Sequence, residues 1–148
     1  MQIRPMAQGD IPDCADILCS VYNNDLWQCR WEKATAVEYL TDFFSMAKFV
    51  GYVAEEDGGI IGGLFAHEKV WWNNSELFIE EMFVRPDRQG RGIGSALLRA
   101  AEGYVRAKAL AGITLSTNRY APAPHFYRKN GFDDCGHVLF MAKEIKME

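Results

Sequence analysis

Residues 83–98 read Phe83-Val84-Arg85-Pro86-Asp87-Arg88-Gln89-Gly90-Arg91-Gly92-Ile93-Gly94-Ser95-Ala96-Leu97-Leu98. Here a strand stops, three glycines follow at alternate positions, and a helix starts. Glycines let successive backbone N–H groups point inward without Cβ obstruction, and a helix N-terminus carries about half a positive charge. Residues Arg88, Gln89, Gly90, Arg91, Gly92, Ile93, Gly94 and Ser95 therefore make a cradle suited to a pyrophosphate, with two arginines adding charge. A Walker A loop would need Lys-Ser or Lys-Thr after its last glycine, and a Rossmann turn would need Gly-x-Gly-x-x-Gly; neither is present. The helix continues to about Ala109 on the stripe Ile93, Leu97, Ala101, Val105. Gly112 then precedes a strand, Ile113 to Ser116, so strand, helix and strand form a parallel crossover.

Upstream of the turn, Leu77 to Val84 reads as a strand closed by Pro86. Phe49 to Ala54 and Ile60 to Ala66 are apolar runs joined by Asp57-Gly58-Gly59, the signature of an antiparallel hairpin. Before them come a short strand at Ile3 to Met6, a helix opened by Asp10 and Pro12 with Ile11, Ala15, Leu18, Val21 and Tyr22 at helical spacing, and a second helix from about Glu32 to Lys48. Downstream, Pro124 to Lys129 is a short helix stopped by Asn130-Gly131, and Val138 to Met141 is expected to form a last strand. The expected architecture is α+β: a mixed, mostly antiparallel sheet with helices on both faces.

The 148 residues, 49% hydrophobic and 24% charged, suit one soluble domain spanning 1–148 with a core large enough to need no staples. Cys14, Cys19, Cys29 and Cys135 include no C-x-x-C pair and no His at ligand spacing, so no metal site is expected and reduced thiols in a cytoplasm fit best. No run approaches the ~18 apolar residues of a membrane span, and Met1 to Pro5 lacks an export signal's charged-then-apolar pattern, so no membrane partner is expected. A net charge of -4 argues against a nucleic-acid partner. The charge is uneven: residues 1–75 hold 5 Lys/Arg against 11 Asp/Glu, residues 76–148 hold 11 against 9. An acidic half beside a basic one is what a chain needs to hold a cation on one side and a phosphate-bearing ligand on the other.

Two segments resemble a known family. Gln89-x-x-Gly92-x-Gly94, following a strand that ends in Phe-Val-x-Pro, is similar to the acetyl-CoA signature of the GCN5-related N-acetyltransferases (GNAT superfamily). His125-Phe126-Tyr127-Arg128-Lys129-Asn130-Gly131-Phe132 resembles that family's second signature. The resemblance is motif-grade from Leu77 to Phe132 and implies a sheet whose fourth and fifth strands splay apart to admit the pantetheine arm of acetyl-CoA. It implies backbone bonds from Met82, Phe83 and Val84 to pantetheine, and Tyr127 as the acid that protonates the departing thiolate. Many members carry an Asn seven residues before that Tyr; here Tyr120 stands there, and Asn118 is the nearest candidate.

Acyl transfer to an amine needs a base, and Glu80 and Glu81 are the carboxylates in position. Strand alternation sends them to opposite faces, one into the cleft. The segment Ile79 to Val84 looks most like polyamine N-acetyltransferases, in which the first acidic residue is the base, so Glu80 ranks ahead of Glu81. His67, His125 and His137 have no partner at triad spacing and read as surface or packing residues. Trp27, Trp31, Tyr39, Trp71 and Trp72 with Asp25, Glu32 and Glu38 form an aromatic, acidic set suited to a cation. The expected acceptor is a small amine, polyamine-like or aminoglycoside-like. A protein N-terminus or lysine, and a non-catalytic acyl-CoA-binding regulatory domain, stay open as alternatives, as does a homodimer.

Overall fold

The hairpin predicted at Asp57-Gly58-Gly59 forms a tight turn in which Asp57 and Gly58 both take positive φ (53° and 76°), the conformation that lets two right-twisted strands meet. It joins β2 (Phe49–Glu56) to β3 (Gly59–Lys69). The computed structural model describes residues 1–147 and divides the chain into two compact units, the first ending at Ser116 and the second beginning at Thr117.

In the first unit β1 (Gln2–Pro5), β2, β3, β4 (Glu76–Val84) and β5 (Ile113–Leu115) form one sheet in the order β1-β2-β3-β4-β5. The first four strands run antiparallel, and only β4 and β5 are parallel. The crossover between those two is α3 (Ile93–Lys108). Helices α1 (Ile11–Tyr22) and α2 (Lys33–Phe44) follow β1. The second helix is shorter than its apolar pattern suggested, because the chain turns at Ser45 and Lys48 takes a positive φ of 63°.

Two adjacent glycines in β3 show how the layers are arranged. A Cβ on Gly63 would meet Cys14 of α1 and Phe83, whereas one on Gly62 would meet Leu97 and Ile93 of α3. Successive residues of a strand point to opposite faces, so α1 and α3 lie on opposite sides of the sheet. On the α1 side Ile11, Cys14, Leu18, Leu40, Val53, Phe65 and Phe83 make one buried cluster that also takes in α2. Asp10 ties that side down: its carboxylate pairs with Arg4 at 2.9 Å and accepts the Ala7 N–H at 2.8 Å, while Arg4 also reaches Glu55 at 2.6 Å.

In the second unit α4 (Ala123–Lys129) ends in a Schellman motif. Gly131 at φ 91° donates to the Arg128 carbonyl, Phe132 donates to the Tyr127 carbonyl, and the Phe132 and Tyr127 rings meet at 5.3 Å. Among the described residues no strand forms at Val138 to Met141. These four side chains are 62–93% exposed, and the Val138 N–H donates to Cys135 in a turn. An apolar run supplies strand propensity but not a partner, and among the described residues none pairs with this run.

Candidate active site

The site is built around an irregularity in β4. Phe65 pairs with Glu81 but the next residue, Ala66, pairs with Ile79, so Glu80 is the extra residue of a β-bulge. A bulge interrupts side-chain alternation, and this corrects the expectation that Glu80 and Glu81 face opposite ways. Glu81 reaches α1 and α2: its Oε1 accepts the Tyr22 hydroxyl at 2.7 Å and its Oε2 the Tyr39 hydroxyl at 2.8 Å. Glu80 Oε1 lies 3.4 Å from Nδ1 of His67, which shares the Phe65 side of β3. Both carboxylates therefore lie on the α1 side of the sheet.

Burial pushes the pKa of Glu81 up, and the neighbouring Glu80 charge adds to that, while the two tyrosine hydroxyls and the Met82 backbone pull it down. Burial and the Glu81 charge push the Tyr39 phenol up in turn, so it remains a donor. His67 Nδ1 is a buried polar atom with no hydrogen bond, and its ring packs on Phe78 at 5.8 Å. His67 thus packs on Phe78 and also borders this cluster as a neighbour of Glu80, an approach that triad spacing in the sequence did not indicate. Beside the carboxylates β4 loses its parallel neighbour: β5 pairs only with Leu77, Phe78 and Ile79, so Glu80, Glu81, Met82, Phe83 and Val84 run past its end.

The glycine turn follows directly. Pro86–Arg88 form a short 3-10 turn, and Gly90 and Gly92 both have positive φ (78° and 79°), with open space where a Cβ would be. Gly92 caps α3, and Gly94 is the helix's second residue. Gln89 donates from Nε2 to the Val84 carbonyl at 3.1 Å, bracing the turn against the end of β4. Arg88 is paired with Glu56 of β2, whereas Arg91 is exposed. These residues fit a phosphate-bearing ligand, since an open turn with glycine backbone at a helix start and an exposed guanidinium leaves room and charge for it.

Between α1 and α2 the chain surrounds a depression of about 810 Å³ lined by Asn23, Asn24, Asp25, Gln28, Cys29, Arg30, Trp31 and Glu32. Asn23 shapes it, donating to the Trp31 carbonyl at 2.9 Å and accepting the Trp31 N–H at 2.6 Å. Trp31 packs on Tyr39 and Trp27 on Tyr22, each with ring centroids 4.9 Å apart. Trp72 lies on the loop between β3 and β4 and is 86% exposed. In the second unit Tyr127 packs between Phe126 and Phe132, and Asn118 accepts the Tyr120 N–H at 2.9 Å to close a turn.

A family model described as an acetyltransferase (GNAT) domain matches residues 47–134. The chain belongs to the GNAT acetyltransferase family. Streptothricin acetyltransferase of Streptomyces lavendulae is 38% identical over 81 residues, 54% of this chain and 42% of that protein, so the match spans less than half of the relative's length. The fold is shared with an aminoglycoside 6′-N-acetyltransferase from Acinetobacter haemolyticus (TM-score 0.74, 20% identity, 99% of this chain and 100% of that one). It is shared too with an aminoglycoside acetyltransferase from an uncultured soil sample, solved with sisomicin (TM-score 0.76, 18% identity, 98% and 96%).

Within this member of the family the matched stretch holds the glycine turn, Glu80, Glu81, His67 and Tyr127, while Tyr22, Trp27, Trp31, Glu32 and Tyr39 lie before it. Sequence reasoning missed Tyr22 and His67. Tyr22 read as one more apolar position on a helical stripe, and its 59-residue separation from Glu81 leaves no local pattern to find. Tyr39 read as pocket wall, not as a partner of Glu81. Among the described residues no helix is long and apolar enough to cross a membrane, and no three His, Cys, Asp or Glu gather as metal ligands.

Proposed function

We propose that this acetyltransferase moves an acetyl group from acetyl-CoA to a primary amine of a small cationic acceptor, with streptothricin-like and aminoglycoside-like antibiotics as the leading candidates. The observation that carries the reading is the pair of carboxylates brought to one face of β4 by the bulge, at the point where β5 has ended. Arg91 and the backbone from Gln89 to Ser95 would hold the pyrophosphate, and Met82, Phe83 and Val84 the pantetheine amides. Acetyl-CoA supplies an activated acyl group. Glu80 takes a proton from the acceptor's ammonium, directly or through water, leaving a nitrogen lone pair to attack the thioester carbon. As the carbon–nitrogen bond forms and the carbon–sulfur bond breaks, Tyr127 gives the sulfur a proton, and the second proton lost by the nitrogen passes to solvent. Trp31, Trp27 and Glu32, with Trp72 as a further contact, would bind the rest of the acceptor through charge and aromatic faces.

Thiol release from acetyl-CoA, measured with streptothricin, sisomicin, spermidine, a lysine peptide and a neutral alcohol, tests this. Turnover fastest with a small polycation is expected. Turnover of the lysine peptide alone, or of no amine while acetyl-CoA binds, contradicts it.

A further inference from the structure

Two features of the carboxylate pair differ in kind. Both oxygens of Glu81 are engaged by hydroxyls, one from α1 and one from α2, and both tyrosine rings are themselves braced: Tyr22 by Trp27, and Tyr39 by Trp31 and by Phe43 at 4.6 Å. Glu80 sits one residue away on the bulge, with His67 at 3.4 Å and without hydrogen-bond geometry between them. A carboxylate fixed at both oxygens keeps one lone pair on each for an incoming N–H, yet the two hydroxyl bonds favour its charged form and so cost it basicity as a proton carrier. A carboxylate without such bonds pays no such cost.

We propose that Tyr22 and Tyr39 are positioning residues that hold Glu81 as a fixed anion for the acceptor's ammonium, and that the neighbouring Glu80 takes the proton. This rests on the cationic-amine reading above and divides its labour. In the proton transfer an ammonium N–H bond breaks and an O–H bond forms on Glu80, while Glu81 stays ionised throughout. The groups facing Glu81 are Tyr22 from α1, Tyr39 from α2 and Glu80 from its own strand, with His67 of β3 behind Glu80. Burial raises the Glu81 pKa on balance, and the two tyrosine hydroxyls hold that rise in check. Removing either one raises that pKa, so the anchor loses its charge at a higher pH and acceptor binding weakens first on the acid side.

Steady-state kinetics of Tyr22→Phe, Tyr39→Phe and Glu81→Gln, run from pH 6 to 9 with whichever of streptothricin, sisomicin and spermidine the wild type turns over fastest, decide the matter. Each variant is expected to raise the amine KM about tenfold at pH 7, the scale of one charge-assisted hydrogen bond, with kcat within about twofold and the acetyl-CoA KM unchanged. For the two Phe variants the amine KM recovers toward wild type as pH rises; for Glu81→Gln it does not. A kcat loss with a flat amine KM, or a KM change independent of pH in both Phe variants, overturns the proposal. An unchanged acetyl-CoA KM shows that each variant is folded, and should Tyr39→Phe lose it, Tyr22→Phe gives the same reading. If the wild type acetylates none of the three amines, the cationic-amine reading fails together with this one; if it does and the variants behave as wild type, only this inference fails.

Discussion

The glycine turn and the carboxylate face of β4 lie next to each other in sequence, but they are made in different ways. The turn is a backbone device: Gly90 and Gly92 at positive φ, the start of α3, and Gln89 tied back to Val84. All of it comes from one continuous stretch inside the family match. The carboxylate face is a side-chain device assembled from α1, α2, β3 and β4, and two of its tyrosines come from residues the family model does not reach. A ligand common to a whole family can be held by backbone, whose chemistry does not depend on the side chain. An acceptor particular to one member has to be recognised by side chains, so that is where this chain would differ from its relatives.

Because the two devices use different atoms, they should fail independently. Gly92→Val is expected to have the largest effect, because a β-branched residue at φ 79° is strained whatever space surrounds it. Acetyl-CoA should then lose its stabilising shift in Tm while the unliganded protein still melts cooperatively; a retained shift would detach the turn from the cofactor. Next comes Tyr127→Phe, expected to lower kcat on the order of 10²-fold with acetyl-CoA affinity unchanged, provided chemistry is rate-limiting. An unchanged kcat would reduce Tyr127 to the packing it makes with Phe126 and Phe132.

Asp10→Asn sharpens the comparison from outside both devices. Arg4 beside it holds the Asp10 carboxyl below its ordinary value, against the opposing effect of burial. A depressed carboxyl contributes stability that is present above its unfolded pKa and lost as pH falls through the folded one. The variant should cost about 2 kcal/mol at pH 7, measured by denaturant melts, with the difference from wild type shrinking below pH 4 and with kcat/KM unaltered. The smallest expected effect is that of salt. Added NaCl should raise the amine KM about two- to threefold through screening, an effect absent in Glu81→Gln.

Much of the fold was legible because its signals are local. The Asp57-Gly58 turn, the α3 stripe and the strand run at residues 77–84 each carry their period or turn residue within a few positions. The backbone shape of the glycine turn was legible for the same reason. What escaped was decided across the sheet. Whether Glu80 and Glu81 share a face depends on a pairing shift at Phe65 and Ala66 that leaves no mark in the residues of β4. His67 becomes a neighbour of Glu80 through that same shift, and Tyr22 reaches Glu81 only because α1 packs under the strand. Val138 to Met141 shows the converse, strand-like sequence without a partner to pair with.

The claim that acetyl transfer takes place on the carboxylate face of β4 is tested most directly by the pH dependence of kcat/KM for the amine in the wild type and in Glu80→Gln. The account predicts a wild-type profile that rises with pH as the amine and its base lose protons, and a Glu80→Gln enzyme slowed on the order of 10²-fold with its rise flattened. A fully active Glu80→Gln enzyme that prefers a neutral or anionic acceptor would contradict it.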